Sequence, residues 1–410
     1  MALIASLIGS LLKSGSLTLI SPDGTRNTYG PGGGKSLSVR FADRKVAFDI
    51  ARNPRLAFGE AYMDGRLTIE DGTILDLMEL VTGQNRWEDG RQARKAFGKR
   101  KLSTLKALFR RNSVGRARQN VAHHYDIGNA LYELFLDEDW QYSCAYYTDP
   151  ANSLEQAQAE KKAHIAAKLF LKPGQRVLDI GCGWGGMALY LHRQAGVDVL
   201  GVTLSEEQLK VARKRAEEAG VADHVRFELI DYRAVEGQFD RIVSVGMFEH
   251  VGAAHYEQFF AQCRSLLKPD GVMLLHTIGK LGSAGAPDPF TDKWIFPGYH
   301  LPSLSQMCAA SEKVRLIASD VETLRLHYAY TLREWLARAT ANRAKIEALY
   351  DARFFRMWEY YLAGGIVMFE TGAACNYQVQ YVRDRDAVPI TRDYMIETEK
   401  AYRSAFGLVS

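Results

Sequence analysis

The sequence predicts an α/β protein: a doubly wound, mostly parallel sheet with a helical insertion, preceded by a small α+β domain. Three observations carry this. Between Val177 and Thr277, apolar strand-like runs alternate with helical segments across short loops, the pattern of a doubly wound sheet. The first strand breaks into Gly181-Cys182-Gly183-Trp184-Gly185-Gly186 and reopens as a helix. The chain before residue 119 has another texture, with turn-punctuated strands followed by a run of cations.

Residues 3–12 place Leu3, Ile4, Leu7, Ile8, Leu11 and Leu12 on one helical face. Few cations stand opposite, so this helix reads as packing on its own domain, with lipid as the alternative. Ser16–Ser21 and Ser36–Phe41 read as strands, Asp64–Ile69 as a turn and strand, and Ile74–Val81 as a short helix. Pro22-Asp23-Gly24 and Pro31-Gly32-Gly33-Gly34 read as turns. No cluster of His, Asp, Glu or Cys able to do chemistry occurs there. Residues 1–85 are therefore read as an accessory domain that binds lipid or a partner.

Residues 86–118 form a basic linker. Twelve Lys or Arg stand against Glu88 and Asp89, a balance of +10 in a chain of net charge +4, which leaves −6 for the rest. With Leu102, Leu105, Leu108 and Phe109 interleaved, the segment suits an anionic membrane surface. No nucleic-acid-binding signature accompanies it, so nucleic acid is not expected as a partner.

Residues 119–410 read as the catalytic domain. Ser153–Phe170 is a helix with Ser153 as N-cap and Gln156 placed to complete a capping box. Val197–Val202, Val225–Ile230, Arg241–Val245 and Val272–Thr277 are strands, with helices at Glu206–Ala219 and Tyr256–Leu267. Asp179, Thr203, Asp231, Glu249 and His276 fall at the carboxyl ends of strands, where doubly wound sheets bind their ligands. Gly181, Gly183 and Gly186 satisfy G-x-G-x-x-G, by itself a weak dinucleotide signal. The next strand, however, ends at Thr203 and not at the acidic residue an NAD ribose needs. Asp179 sits two residues before the first glycine, as in S-adenosylmethionine (SAM) methyltransferases. Beyond a Gly- and Pro-rich loop, Thr331–Tyr361 reads as one long helical stretch, with Trp335, Leu336, Phe354, Phe355 and Trp358 on buried faces.

The bulk properties narrow the classes. Five cysteines, odd in number, scattered and never in C-x-x-C spacing, argue for a reducing compartment and against structural zinc. Adjacent His123 and His124 do not share a helix face, so no metal site is expected. No apolar run is long enough to span a bilayer. The first twelve residues lack a basic n-region and a cleavage site, so secretion is not expected. The expected location is cytoplasmic.

Five motifs occur in order: Gln141-Tyr-Ser-Cys-Ala-Tyr146, Val177-Leu-Asp-Ile-Gly-Cys-Gly-Trp-Gly-Gly186, Gly201-Val-Thr-Leu-Ser205, Phe239-Asp-Arg-Ile-Val-Ser-Val-Gly-Met-Phe-Glu-His-Val-Gly252 and Leu275-His-Thr-Ile-Gly279. Together they resemble the bacterial cyclopropane-fatty-acyl-phospholipid synthases and the mycolic acid cyclopropane synthases. The resemblance covers residues 119–410 well and the N-terminal domain more loosely. It implies a class I SAM-methyltransferase (Rossmann-like) fold, and methylene transfer from SAM to a cis double bond of a phospholipid acyl chain. An alkene needs no deprotonation before it attacks the methyl group, so no activated nucleophile is required. The carbocation left behind needs a dry site and a nearby base.

The family's base is a bound bicarbonate. Carried over by motif, its holders are Cys144, Glu249, His276, the backbone at Ile278, and Tyr328. For SAM, Gly181, Cys182 and Gly183 would approach the methionine part beyond Asp179. Thr203, Leu204, Ser205 and Gln208 would replace the acidic ribose ligand, Asp231 and Tyr232 would border the adenine, and Tyr142 and Ser143 would close over the methionine end. The resemblance also implies a homodimer, associated peripherally with the inner face of the cytoplasmic membrane. One departure stands out: family members carry a cysteine where this chain has Gly365, so no covalent role passes to that position. Methyl- or methylene-branching of acyl chains by the same site is the alternative reaction. An amine N-methyltransferase, an inactive lipid-binding protein and an NAD oxidoreductase fit less well.

Overall fold

The computed structural model describes residue 8, residues 11–90 and residues 128–405. Most of the basic linker, His123, His124 and most of the first helix lie outside these residues. The described chain forms two compact units.

The N-terminal unit takes the chain up to residue 90 together with residues 286–297 and 329–374. Its sheet has the order β2-β1-β3-β4, from β1 (Gly15–Ile20), β2 (Arg26–Gly32), β3 (Ser36–Phe41) and β4 (Leu67–Ile69). β1 pairs antiparallel with β2 and parallel with β3, and β3 pairs antiparallel with β4. The Pro22–Gly24 turn forms, with Gly24 N–H donating to Ser21 O at 2.9 Å. The expected turn at Pro31 does not begin there, because β2 runs on to Gly32. Leu17, Leu19, Val39 and Leu67 bury one sheet face against Leu77, Ala363 and Val367. Leu77 lies on helix Ile74–Val81, whose capping box joins Thr73 and Asp76. Ile8, Leu11 and Leu12 are buried.

Helices Lys45–Arg52 and Pro54–Met63 were not foreseen. The single stretch expected over Thr331–Tyr361 is three helices: His327–Ala341, Arg343–Leu349 and Ala352–Glu370. Tyr350 leaves helical geometry, and Asp351 turns extended to cap the last helix through the Phe354 N–H at 2.6 Å. Trp335, Phe355 and Trp358 are buried as expected, while Leu336 and Phe354 are half-buried.

The second unit contains a seven-stranded sheet of order β10-β11-β9-β8-β5-β6-β7. Its strands are β5 (Arg176–Ile180), β6 (Asp198–Thr203), β7 (Val225–Leu229), β8 (Phe239–Val245), β9 (Leu267–Lys280), β10 (Ile317–Leu324) and β11 (Ala374–Val382). β5 through β9 pair in parallel, and β10 pairs antiparallel with β11. From β5 the chain winds through β6 and β7, then returns to lay β8 and β9 on the other side. The crevice beyond the carboxyl end of β5 is thus the topological switch point. Alternate residues feed two apolar layers. Leu178, Ile242, Met273 and Leu275 face one, and Val177, Val243 and Leu274 face the other.

Helix Leu154–Lys168 leads into β5. Ser153 Oγ caps it at Gln156 N, but Gln156 does not return the bond; its amide reaches Glu160 Oε1 at 3.4 Å. Among the described residues, no helix is long and apolar enough to cross a membrane.

Candidate active site

At the end of β5 the backbone enters the left-handed region at Gly181, Gly183 and Gly185, with φ of +80°, +54° and +84°, before helix Gly186–Ala195 begins. Only glycine takes these angles without strain. A Cβ on Gly181 would come 2.8 Å from Met247 Cβ, whereas one on Gly183 would meet nothing within 4 Å. The loop therefore leaves a gap beside Gly183. Cys182 is buried, and desolvation pushes its thiol well above the usual range, so it is not a thiolate. Asp179, 2% exposed, has an Oδ2 without a hydrogen-bond partner among the described residues. Burial pushes its carboxyl up to about 7, and the Lys161 ammonium pulls the other way.

At the next strand end the polar groups are tied together. Thr203 Oγ1 donates to Gln208 Oε1 at 3.0 Å and accepts from Ser205 N–H at 3.2 Å. Ser205 Oγ caps the following helix at Gln208 N, with Leu204 half-buried between them. Both oxygens of Asp231 are engaged by Arg233, at 2.8 Å (Nε to Oδ1) and 2.7 Å (Nη2 to Oδ2). Burial opposes ionisation of Asp231, but these bonds outweigh it and hold the carboxyl below its usual range. An adenine amine would have to share that carboxylate with the guanidinium. Tyr232 lies edge-on to Phe259.

The segment before helix Leu154–Lys168 is held from below by residues that sequence reasoning missed. Lys161 is 0% exposed and donates to Gln141 Oε1 at 2.7 Å and Ser143 Oγ at 2.8 Å. Gln158 Nε2 donates to the carbonyls of Gln141 and Ser143 at 3.1 and 3.0 Å. Desolvation brings the Lys161 ammonium down to about 7, with Asp137 opposing. Tyr142, between these anchors, packs its ring on Tyr132 and Phe135. Cys144 is buried, with Sγ 3.3 Å from Ala145 O.

Beyond β8, Glu249 stands on a short turn (Phe248–His250) and is 5% exposed. Its Oε1 accepts from the backbone N–H of Ile278 at 2.6 Å, and its Oε2 is buried with no partner among the described residues. Burial pushes this carboxyl up to about 7, against the Ile278 N–H and the Thr277 hydroxyl. Such a group changes protonation in the neutral range and suits proton handling.

His276, on β9 opposite Val245 of β8, is 1% exposed. Gln378 Nε2 lies 3.1 Å from its Nδ1, and the Asn376 amide lies 2.6 Å from its Nε2. Lys168 Nζ donates to Gln378 Oε1 at 2.8 Å, so Gln378 must turn its NH2 to the imidazole. Nδ1 then accepts and Nε2 carries the proton. The Asn376 arm at Nε2 must therefore be its oxygen, an orientation related by a 180° flip to one that leaves Oδ1 buried without a partner. Desolvation holds His276 well below its usual range, aided by Lys161 and Lys168, so the ring is neutral. Lys168 also pairs with Glu322, whose Oε2 is 2.7 Å from His164 Nε2. The ring of Tyr146 stacks between His164 and His327, with centroids at 3.9 and 4.8 Å. His327 Nδ1 accepts from Tyr147 N–H at 2.9 Å, which sets the start of the helix carrying Tyr328, itself buried. Gly365 lies on helix Ala352–Glu370 of the N-terminal unit, where a Cβ would come 3.0 Å from Leu332 Cδ1.

Comparison with known proteins places these residues in a family. Residues 112–379 match the family model described as mycolic acid cyclopropane synthetase, and residues 11–87 match a domain of unknown function. The chain is 42% identical to cyclopropane-fatty-acyl-phospholipid synthase of Escherichia coli over 82% of its length and 85% of the relative. It is 40% identical to a probable fatty acid methyltransferase of Pseudomonas putida, over 67% and 73% of the two chains. Among solved structures, a mycolic acid cyclopropane synthase complexed with SAH and CTAB superposes with a TM-score of 0.62 at 34% identity, covering 64% of this chain and 97% of the other. A coclaurine N-methyltransferase, at 19% identity and a TM-score of 0.65, shares the fold. The glycine loop at the switch point, the seven-stranded sheet and these matches agree: the chain belongs to the mycolic acid cyclopropane synthetase family of SAM-dependent methyltransferases.

Proposed function

We propose that the protein transfers a methylene group from SAM to the cis double bond of unsaturated acyl chains in membrane phospholipids, forming cyclopropane fatty acyl chains. The observation that carries this reading is Glu249, a buried carboxylate near the strand ends with one oxygen on the Ile278 N–H and the other unpartnered among the described residues. SAM, when bound, supplies an electrophilic methyl group, and the alkylated chain then loses a proton to close the ring.

The residues fit the groups this chemistry needs. The unpartnered oxygen of Asp179 and the gap beside Gly183 suit the methionine end of SAM, with Tyr142 and Ser143 over it. Thr203 and Gln208 offer neutral hydrogen-bonding groups for the ribose, and Tyr232 an aromatic wall for the adenine. Bicarbonate would be held by Glu249, His276, Tyr328, Cys144 and the Ile278 backbone, and it supplies the base. Glu249 would accept a hydrogen bond there, and the neutral His276 ring, whose Nε2–H is taken by Asn376, would border the anion. The burial of Glu249, His276, Tyr328 and Cys144 keeps water away from the carbocation, and an aromatic face would favour positive charge there. The basic linker docks the protein on the anionic inner face of the cytoplasmic membrane, and the working state is a homodimer.

A second reading is favoured by the 40% identical probable fatty acid methyltransferase. The same site would yield a methyl-branched alkene if a chain carbon beside the cation lost the proton, or a methylene branch if a hydride shift first moved the charge to the methylated carbon and the methyl group then lost a proton. Incubation with SAM and unsaturated phospholipid vesicles, followed by mass analysis of the acyl chains, tests both. A gain of one CH2 that resists hydrogenation identifies the ring, and a hydrogenated gain identifies a methylene branch. Unchanged acyl chains would reject the lipid reaction altogether.

A further inference from the structure

The N-terminal unit carries a half-open apolar cavity of about 310 Å³. It has the volume of a small-ligand pocket. Leu17, Leu19 and Val39 of the sheet form one wall, and Met78, Gly364 and Val367 of the covering helices form another. Arg55 and Asp288 are the only charged side chains among its described lining residues. They pair with each other at 3.5 Å and are 48% and 37% exposed, so the charged groups stand where the cavity meets solvent. A ligand entering past them finds no ionised group to answer one of its own.

Gly364 is the second observation. It sits inside helix Ala352–Glu370, where glycine is a poorer residue than alanine. Close packing does not demand it. A Cβ at Gly364 would meet Met78 Cε at 3.6 Å and Met78 Sδ at 3.8 Å, which is ordinary contact. Its neighbour Gly365 differs, because a Cβ there would come 3.0 Å from Leu332 Cδ1. Gly364 lines the cavity beside Met78, so a side chain longer than alanine there would compete with a ligand for that space.

We infer that this cavity is a binding site for one unbranched alkyl chain, with the polar end of the ligand left at the Arg55–Asp288 mouth. The assignment rests on the cavity and its lining, independently of the reaction proposed above. The alkyl chain can come from a free fatty acid or from a phospholipid.

The test uses the full-length protein and two photoreactive probes. One is hexadecanoic acid with a diazirine on the chain, and the other is phosphatidylglycerol vesicles carrying the same acyl chain. After illumination, peptide mapping should find label on the peptides that contain Met78 and Val367. Labelling from the vesicles alone assigns the chain to phospholipid, and labelling from the acid as well extends the site to free fatty acids. Gly364→Leu should fill the cavity and cut that labelling at least about tenfold, with a melting temperature no lower than wild type. Gly364→Ala should melt slightly higher and keep the label. Absence of label from these peptides in the wild type would overturn the inference, as would full labelling of a folded Gly364→Leu. Because the readout is the labelled peptide and not the product, failure of the methylation reaction would leave this result standing.

Discussion

The amide nitrogen of Gln378 donates to Nδ1 of His276 across 3.1 Å, and so decides where the imidazole proton resides. The Lys168 ammonium enforces this orientation by holding the other arm of the amide at 2.8 Å. Replacing Gln378 with Glu substitutes an acceptor for the donor. The His276 proton should move to Nδ1, and turnover should fall by roughly ten- to a hundredfold. Nitrogen-15 spectra of histidine-labelled protein, with His276 assigned by its Gln variant, read the tautomer directly. A His276 signal unchanged in Gln378→Glu would remove Gln378 from this role.

For Glu249, the sign of the pH dependence can be worked out. Its ordinary value is near 4.5 and burial raises it to about 7, so the unfolded chain ionises first. Stability should fall as pH rises from about 4.5 to about 7, by roughly 3 kcal/mol from this group, and then level off. Glu249→Gln should therefore melt a few degrees higher than wild type at pH 8 and equally at pH 4. Its SAM affinity should stay near normal while turnover collapses. Calorimetric melts at the two pH values, together with a methyl-transfer assay, check both halves. A variant with wild-type turnover would place Glu249 outside the chemistry.

Gly183 has room for a side chain but not the backbone angle for one. Gly183→Ala adds about 1–2 kcal/mol of left-handed strain, and Gly183→Val places branched carbon in the gap beside it. Both should fold, and the valine variant should show no heat of SAM binding in titration calorimetry. Unchanged affinity would show that the cofactor lies elsewhere.

Lys161 holds Gln141 and Ser143 from a fully buried site. Lys161→Met keeps much of the volume but leaves two buried acceptors unsatisfied. The Kd for SAM should rise at least about tenfold while kcat at saturation changes less. Equal loss in both parameters would point to general unfolding of the segment instead.

If the segment from Arg86 to Arg118 docks on lipid, binding to anionic vesicles should weaken steeply as salt rises from about 0.05 to 0.5 M. Flotation assays measure this. Binding that ignores salt would shift the contact to the apolar face of residues 3–12.

The parallel sheet was legible because strand and helix periods alternate cleanly from Val177 onward, and the candidate site was drawn from the polar residues that close those strands. Other parts left no local trace. Helix Ala352–Glu370 covers the N-terminal sheet, but amphipathic spacing does not say which sheet a helix will cover. The polar support of His276 was hidden for another reason. Helix Leu154–Lys168 lacks an apolar stripe and so resembles a surface helix, yet Gln158, Glu160, Lys161, His164 and Lys168 are all buried. The alternation of Asn376, Gln378 and Gln380 along β11 was the available signal, since a buried strand with polar groups at every second position must face polar partners. Asp231 shows the converse. Its strand-end position suggested a ligand, and only geometry reveals that Arg233 already engages it.

The oxygens of Asp179 and Glu249 that have no partner among the described residues also bear on how long the protein survives in a cell. A fold that keeps carboxylates dry without partners is weakest when empty and gains stability from whatever satisfies them. At a hundred times its Kd, a ligand adds about 2.7 kcal/mol to the folded state, enough to change the unfolded population about a hundredfold. If the methyl donor is that ligand, an idle enzyme would be the easier target for proteases whenever the donor runs short. Its abundance would then follow the supply of the reagent it consumes, with no dedicated regulator.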